Sequence, residues 1–316
     1  MSNPKRSPWQ GFPVLLGTAF FCCTLWGSAS PSIKIAYGLF GIPASDTASR
    51  LALAGARFAI AGIMTILAGS ILSGHFLIPK KESLGKVAML SLFQTILQYY
   101  FFFMSLAYIS GVRGSIITAL GYFFNILLSA FLFRFEKLNF RKVSGCLIGF
   151  AGVVVIVTRG QSLGGSFSLR GEGAMILAML FSSVASCLIK KYSADEDPVT
   201  LSGYQFLLGG VILFLIGTFM GGRLHFGSVQ CILLLLYLGF ISAGAYTFWG
   251  ILLKHNPVSR VSVFGFINPV MGVLLSALFL GEQNDAFSLA GLTALILVSL
   301  GIIIVNREDR KKNTFS

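Results

Sequence analysis

The sequence predicts an all-α membrane protein, with ten transmembrane helices arranged as two inverted-topology repeats of five. Three observations carry that prediction. The 316-residue chain is 55% hydrophobic and only 11% charged, against roughly 25% charged residues in a soluble domain, so it has too little charge to solvate a globular surface. Its apolar residues fall into runs of, or close to, the ~20 residues that a helix needs to cross a ~30 Å hydrocarbon core. Its basic residues crowd into alternate loops, which orients those runs.

The runs lie near 12–33, 51–73, 87–112, 114–133, 143–158, 173–189, 199–222, 229–253, 261–281 and 286–306. The fifth and sixth are short and call for flanking residues that snorkel, or for little tilt. The first has Lys5 and Arg6 before it and a cleavable-looking Ser28-Ala29-Ser30, features of a signal peptide. It is long for that role, and removing it would leave unequal halves. With the N-terminus placed inside, 17 of the 24 Lys and Arg residues fall on the inner side and six on the outer, with Arg57 within a span. That bias puts both ends in the cytoplasm. The segment 34–50 becomes the longest outer excursion.

Five is odd, so the second half enters the membrane from the opposite side, as in many secondary transporters. An internal echo supports the division. Leu274-Leu275-Ser276-Ala277 repeats Leu127-Leu128-Ser129-Ala130 at a distance of 147 positions, and Glu282 falls one residue out of register with Glu136. The expected units are a first repeat over 1–158, an external Gly/Ser-rich linker over 159–172, a second repeat over 173–306 and a cytoplasmic tail over 307–316. Small residues in the fifth and tenth helices (Gly145, Gly149, Gly152, Gly291, Gly301) suit close backbone approach, between halves or between protomers. Both monomer and homodimer are compatible with that.

The formal charge of +13 does not point to nucleic acid, because the basic residues are dispersed in short loops rather than clustered on one patch. The five cysteines lack metal-ligand spacing and read as small core residues. Every carboxylate falls at or beyond a membrane edge, and the three histidines lie in loops. Proton relays place such groups near the midplane, so their positions favour a facilitator or a less obvious form of coupling. Paired catalytic groups are missing too. The expectation is a protein that is not an enzyme, with no cofactor, no metal site and no catalytic residue.

Uncharged polar and aromatic residues in the spans are the site candidates. Gln94 and Gln98 are four apart and share a helix face, followed by Tyr99. Tyr122 and Asn125 sit on the fourth helix, and Tyr246 and Trp249 on the eighth. Trp26 lies on the first helix. Asn268-Pro269 sits in the middle of the ninth, where proline removes a backbone donor that hydrocarbon cannot replace. Each polar residue either lines a cavity or pins two helices together. Arg57 reads either as a site for an anionic group such as a carboxylate or as a side chain that snorkels to the outer edge or binds backbone carbonyls. Tyr37 and Tyr192, near helix ends, read as interface anchors. Glu136 and Glu282, ending related helices, read as latches or as helix-end caps.

These residues resemble the drug/metabolite transporter superfamily, in its EamA-type branch. Leu25-Trp26-Gly27-Ser28 with Ile33-Lys34, Arg57-Phe58 with Ala61, Ala107-Tyr108-Ile109-Ser110, Glu136-Lys137-Leu138, Ala245-Tyr246, Asn268-Pro269-Val270 and Leu280-Gly281-Glu282 carry the likeness. It implies a ten-helix carrier in a bacterial inner membrane, with a central cavity lined by helices one, three, four, six, eight and nine. Such carriers move amino acids, nucleobases, other metabolites or drugs, often outward. One departure is the missing proline in the fourth helix, where Gly121-Tyr122 stands. The reading is an exporter or facilitator of small metabolites such as amino acids, working by alternating access and hinged near Gly121 and Pro269. The alternatives are a proton-coupled multidrug or nucleobase exporter and an uncoupled channel. The partners implied are a small-molecule substrate and the lipid bilayer.

Overall fold

Helix α1 runs over Phe12–Leu39 and carries Pro31 inside it. The computed structural model describes residues 7–43, 45–106, 108, 111–158, 168–280 and 289–306. Glu282, most of the 159–172 linker and the 307–316 tail lie outside the described residues. So do Ala107, Ile109 and Ser110.

Residues 34–39 were expected in a loop, but α1 continues through them. A single lysine, Lys34, is exposed and does not end a helix whose backbone is otherwise satisfied. The chain re-enters at α2, Thr47–Ser73, where Asp46 caps the first turn by accepting from the Ser49 amide at 2.9 Å. Gly74 ends α2 in the left-handed conformation, φ +71. Helix α3 spans Lys81–Ser105. Within it, Ser91–Leu97 winds as a π-helix, a feature that hydropathy does not report. Helices α4, Gly111–Phe131, and α5, Phe140–Thr158, complete the first half.

Helix α6 spans Leu169–Tyr192. Its start is a reciprocal cap. Ser168 Oγ accepts from the Gly171 amide, and Glu172 accepts from the Ser168 amide at 2.9 Å. Helix α7, Pro198–Phe219, starts on Asp197 with proline in its first turn. Helix α8 is Val229–His255. Helix α9 is broken into Val258–Ser262, a 3-10 turn at Val263–Phe266, and Ile267–Leu280. Pro269 explains the break: it has no amide to donate to the carbonyl of Gly265, four residues back, so the backbone tightens there. Helix α10 is Leu289–Asn306.

Six of these helices (α1, α2, α3, α6, α7 and α8) are long and apolar enough to cross a membrane, and shorter apolar stretches lie at Ile117–Phe131 and Leu295–Asn306. Leu, Ile and Phe side chains such as Ile71, Phe131 and Phe219 are exposed on the outside. The chain is a multi-pass, all-helical membrane protein.

Two seams hold the bundle together. Along α2, residues Ala48, Ala52, Gly55, Ala59, Gly62 and Ile66 recur at alternating four- and three-residue spacing, and they face α7. Gly55 lies against Phe214, Gly62 against Leu207, Ala52 against Gly217 and Ala48 against Gly222. Numbers rise on one helix as they fall on the other, so α2 and α7 are antiparallel. The spacing is that of a left-handed, coiled-coil-like seam. A methyl group on Gly55 or Gly210 would overlap the facing backbone. The second seam joins α5 and α10, with Gly145 against Val305 and Gly149 against Gly301, again antiparallel. Of the glycines expected to mediate close approach, Gly145, Gly149 and Gly301 do so within the chain. Lipid tails are as apolar as leucine, so dispersion between closely fitted backbones drives these contacts. Helix α1 packs on α8 and α9, and α6 packs on α3 and α4.

Candidate functional site

Four of the predicted residues meet where α1, α3 and α8 converge. The Trp26 ring stands edge-on to Tyr246 and Trp249, at centroid distances of 5.1 and 5.0 Å. The Tyr99 and Tyr246 hydroxyls are hydrogen-bonded at 2.8 Å. The wall continues through Phe58 of α2, 4.5 Å from the Tyr99 ring, and Phe206 of α7, 5.1 Å from the Tyr246 ring. Trp26 Nε1 is sealed from solvent without a partner, which is costly for a buried donor.

A second group joins α4 to α9. Asn268 lies beside the Tyr122 hydroxyl, and the Tyr122 ring packs over Gly265 and against Phe266 at 5.3 Å. The break in α9 is therefore filled by Tyr122. Cys23 of α1 reaches the same break, its Sγ donating to the Phe264 carbonyl at 3.3 Å.

Gln98 and Asn125 are both buried, and each leaves its side-chain carbonyl oxygen unpartnered. Gln94 is half-buried and sits in the π-helical stretch. Helix α4 runs unbroken through Gly121, whose carbonyl accepts from Ser183 Oγ of α6 at 2.9 Å.

Glu136 follows α4 and reaches across to α9, with its side chain only 8% exposed. It accepts from Lys142 Nζ at 2.6 Å, Ser129 Oγ at 3.0 Å, the Ser259 amide at 2.8 Å and the Ser259 hydroxyl. The contact is thus at once a cap on the first turn of α9 and a tie between the halves. Burial pushes this carboxyl up, but the bonds from Lys142 and Ser259 outweigh it and hold it below the ordinary carboxylate value. Glu282, its counterpart in the sequence, lies outside the described residues.

Arg57 and Tyr37 correct their expected roles. Arg57 is 6% exposed and does not snorkel; its guanidinium lies over the Phe58 and Tyr99 rings, at 4.5 and 5.3 Å. Tyr37 is no interface anchor: its hydroxyl is sealed in protein, and Arg50 covers its ring at 4.6 Å. Sequence reasoning also missed Gln205 of α7. It is fully buried, with Oε1 accepting from Thr95 at 2.9 Å and its carbonyl from Ser91 at 3.0 Å, and it holds the π-helical stretch of α3. The available signal was an amide side chain in the middle of an apolar run.

The family model for the EamA-like transporter family matches residues 13–158 and 169–307. The chain belongs to the EamA-like transporter family. This EamA-like transporter is 30% identical over 288 residues to an uncharacterised transporter of Archaeoglobus fulgidus, covering 90% of the chain and 96% of that relative. It is 26% identical to a probable amino-acid metabolite efflux pump of Salmonella typhimurium, covering 93% and 95%. A crystal structure superposes with a TM-score of 0.75 at 21% identity, over 96% of this chain and 100% of that one, and shares the fold. Membership makes transport across a membrane, rather than catalysis, the role of the protein.

Proposed function

We propose that this EamA-like transporter is a secondary carrier of small metabolites, amino acids first among them. It works by alternating access between two inverted five-helix repeats. The observation that carries the reading is the antiparallel packing of α2 on α7 and of α5 on α10, each helix set against the one five places along. Further pairings follow the same rule. Advancing α1–α8 and α1–α9 by five gives α6–α3 and α6–α4, and all four pairs are in contact. A pseudo-two-fold axis in the membrane plane accounts for this, and such an axis puts the substrate site at the repeat interface.

The aromatic and amide side chains described above line that interface. The break at Val263–Phe266 and Pro269 supplies one hinge, and Gly121 marks its counterpart. Glu136 closes one end, and Glu282 is its counterpart in the sequence echo. Both termini lie in the cytoplasm, with the protein in the inner membrane. The name of the Salmonella relative favours outward movement of amino-acid metabolites.

The test is uptake of a mixed metabolite pool by liposomes containing the purified protein, with and without a pH gradient. Saturable flux with counterflow supports the carrier. Non-saturable flux would make it a channel. Flux that requires the gradient would turn attention to Glu136, a buried carboxylate that could exchange a proton.

A further inference from the structure

Two arginines on one face of α2 point to a ligand. Arg50 and Arg57 are seven residues apart, two helical turns, and Tyr37 of α1 and Tyr99 of α3 pack against the same buried cluster as Phe58. Arg50 covers the Tyr37 ring, and Arg57 covers Phe58 and Tyr99. The Nε atoms of both arginines and the Tyr37 hydroxyl are sealed from solvent, and none has a hydrogen-bond partner. Among the described residues neither arginine has a carboxylate within ion-pairing distance. Asp46, one turn before Arg50, feels its charge but spends its oxygen on the Ser49 amide. Among the described residues the site therefore gathers donors and positive charge and offers no anionic acceptor. A buried, unpaired guanidinium is among the costliest arrangements a protein can hold, and aromatic faces compensate only part of that.

We infer that Arg57, with Arg50 and Tyr37, binds the carboxylate of the transported metabolite, while its apolar part lies on the Phe58–Tyr99–Tyr246 wall. A guanidinium matches a carboxylate with two parallel hydrogen bonds. Arg50, two turns nearer the start of α2, supplies a second station on the way out. The inference rests on the carrier reading for its place in a transport path; the binding itself does not.

Intrinsic tryptophan fluorescence of the purified full-length protein tests it, since Trp26 and Trp249 flank the wall. The probes are L-phenylalanine, phenylalaninamide, 3-phenylpropanoate and inorganic phosphate. Both carboxylates should bind at least tenfold more tightly than the amide. Arg57→Gln should erase that ratio, and Arg57→Lys should keep part of it. If Arg57→Gln does not fold, Arg50→Gln, with a smaller loss of the ratio, decides in its place. Equal binding of acid and amide, no binding of either carboxylate, or phosphate binding as tightly as the carboxylates would each overturn the inference. So would an Arg57→Gln protein that loses thermal stability but keeps the ratio, because its arginine would be structural. Liposome flux separates the two readings. Flux without carboxylate preference leaves the carrier standing and removes the site; carboxylate binding without any flux does the reverse.

Discussion

Replacing Glu136 by alanine removes an acceptor shared by Ser129, Lys142 and both donors of Ser259. Lys142 Nζ keeps only the Lys137 carbonyl, at 2.9 Å, and the first turn of α9 loses its cap. Removing one partner of a fully buried pair costs about 3–5 kcal/mol. The Lys142 side chain is 17% exposed and can reach water, so the lower end applies and the expected loss is ~3 kcal/mol. Glutamine keeps the shape and an oxygen acceptor for the Ser259 amide while giving up the charge, and should cost ~1 kcal/mol, the size of an ordinary hydrogen bond.

SDS titration in mixed micelles, followed by tryptophan fluorescence, reads these differences as midpoint shifts. The pH dependence has a defined sign. The Glu136 carboxyl is held below its ordinary value, so its contribution is complete above an unfolded carboxylate value of about 4.3 and is lost as pH falls through the lower folded value. Wild type and Glu136→Gln should therefore differ by a constant amount from pH 7 to pH 5 and converge only below about 4.3. Glu136→Ala within ~0.5 kcal/mol of wild type, the range of a neutral surface substitution, would refute the latch. So would Glu136→Gln as damaging as Glu136→Ala.

Further predictions concern the seams, the hinge and the site. Gly55→Leu or Gly210→Val should prevent recovery of folded protein, because the added carbons overlap facing backbone; the same change at Gly17, which faces open space, should be silent by size-exclusion chromatography. Pro269→Ala restores an amide that can donate to Gly265. It should raise thermal stability and slow liposome flux if the break in α9 is the hinge. Tyr246→Phe deletes the 2.8 Å bond to Tyr99 and should cost ~1 kcal/mol in the same SDS titration. All five cysteines are buried and free, so the native protein should resist a membrane-impermeant maleimide and react fully once unfolded in SDS.

The course of the helices could be read from the chain because crossing a membrane demands long apolar runs, and hydropathy reports length directly. The exceptions had local causes. The reading stopped at Lys34, while α1 continues to Leu39. The π-helical stretch at Ser91–Leu97 is stabilised by Gln205 from another helix, and nothing in its own residues announces it. The break near Asn268-Pro269 was visible, since proline acts through its own chemistry wherever it stands.

The site was half visible. Trp26, Tyr99, Tyr246 and Trp249 stood out as polar aromatics within apolar runs, and they meet. Their partners Phe58 and Phe206 did not stand out, because a phenylalanine in a membrane helix looks the same facing lipid or facing a neighbour. The environment of Arg57 was open in the sequence, and burial removed the snorkelling reading.

By itself the sequence determined that this protein lives in a membrane, where its helices run and which family it belongs to, because those depend on composition and on order along the chain. Tertiary structure alone decided that the glycines of α2 face those of α7, that Glu136 caps a helix more than a hundred residues away, and that Arg50 and Arg57 each lie over aromatic rings. These facts depend on distances across the bundle, and small residues, a carboxylate and an arginine each permit many partners until packing selects one.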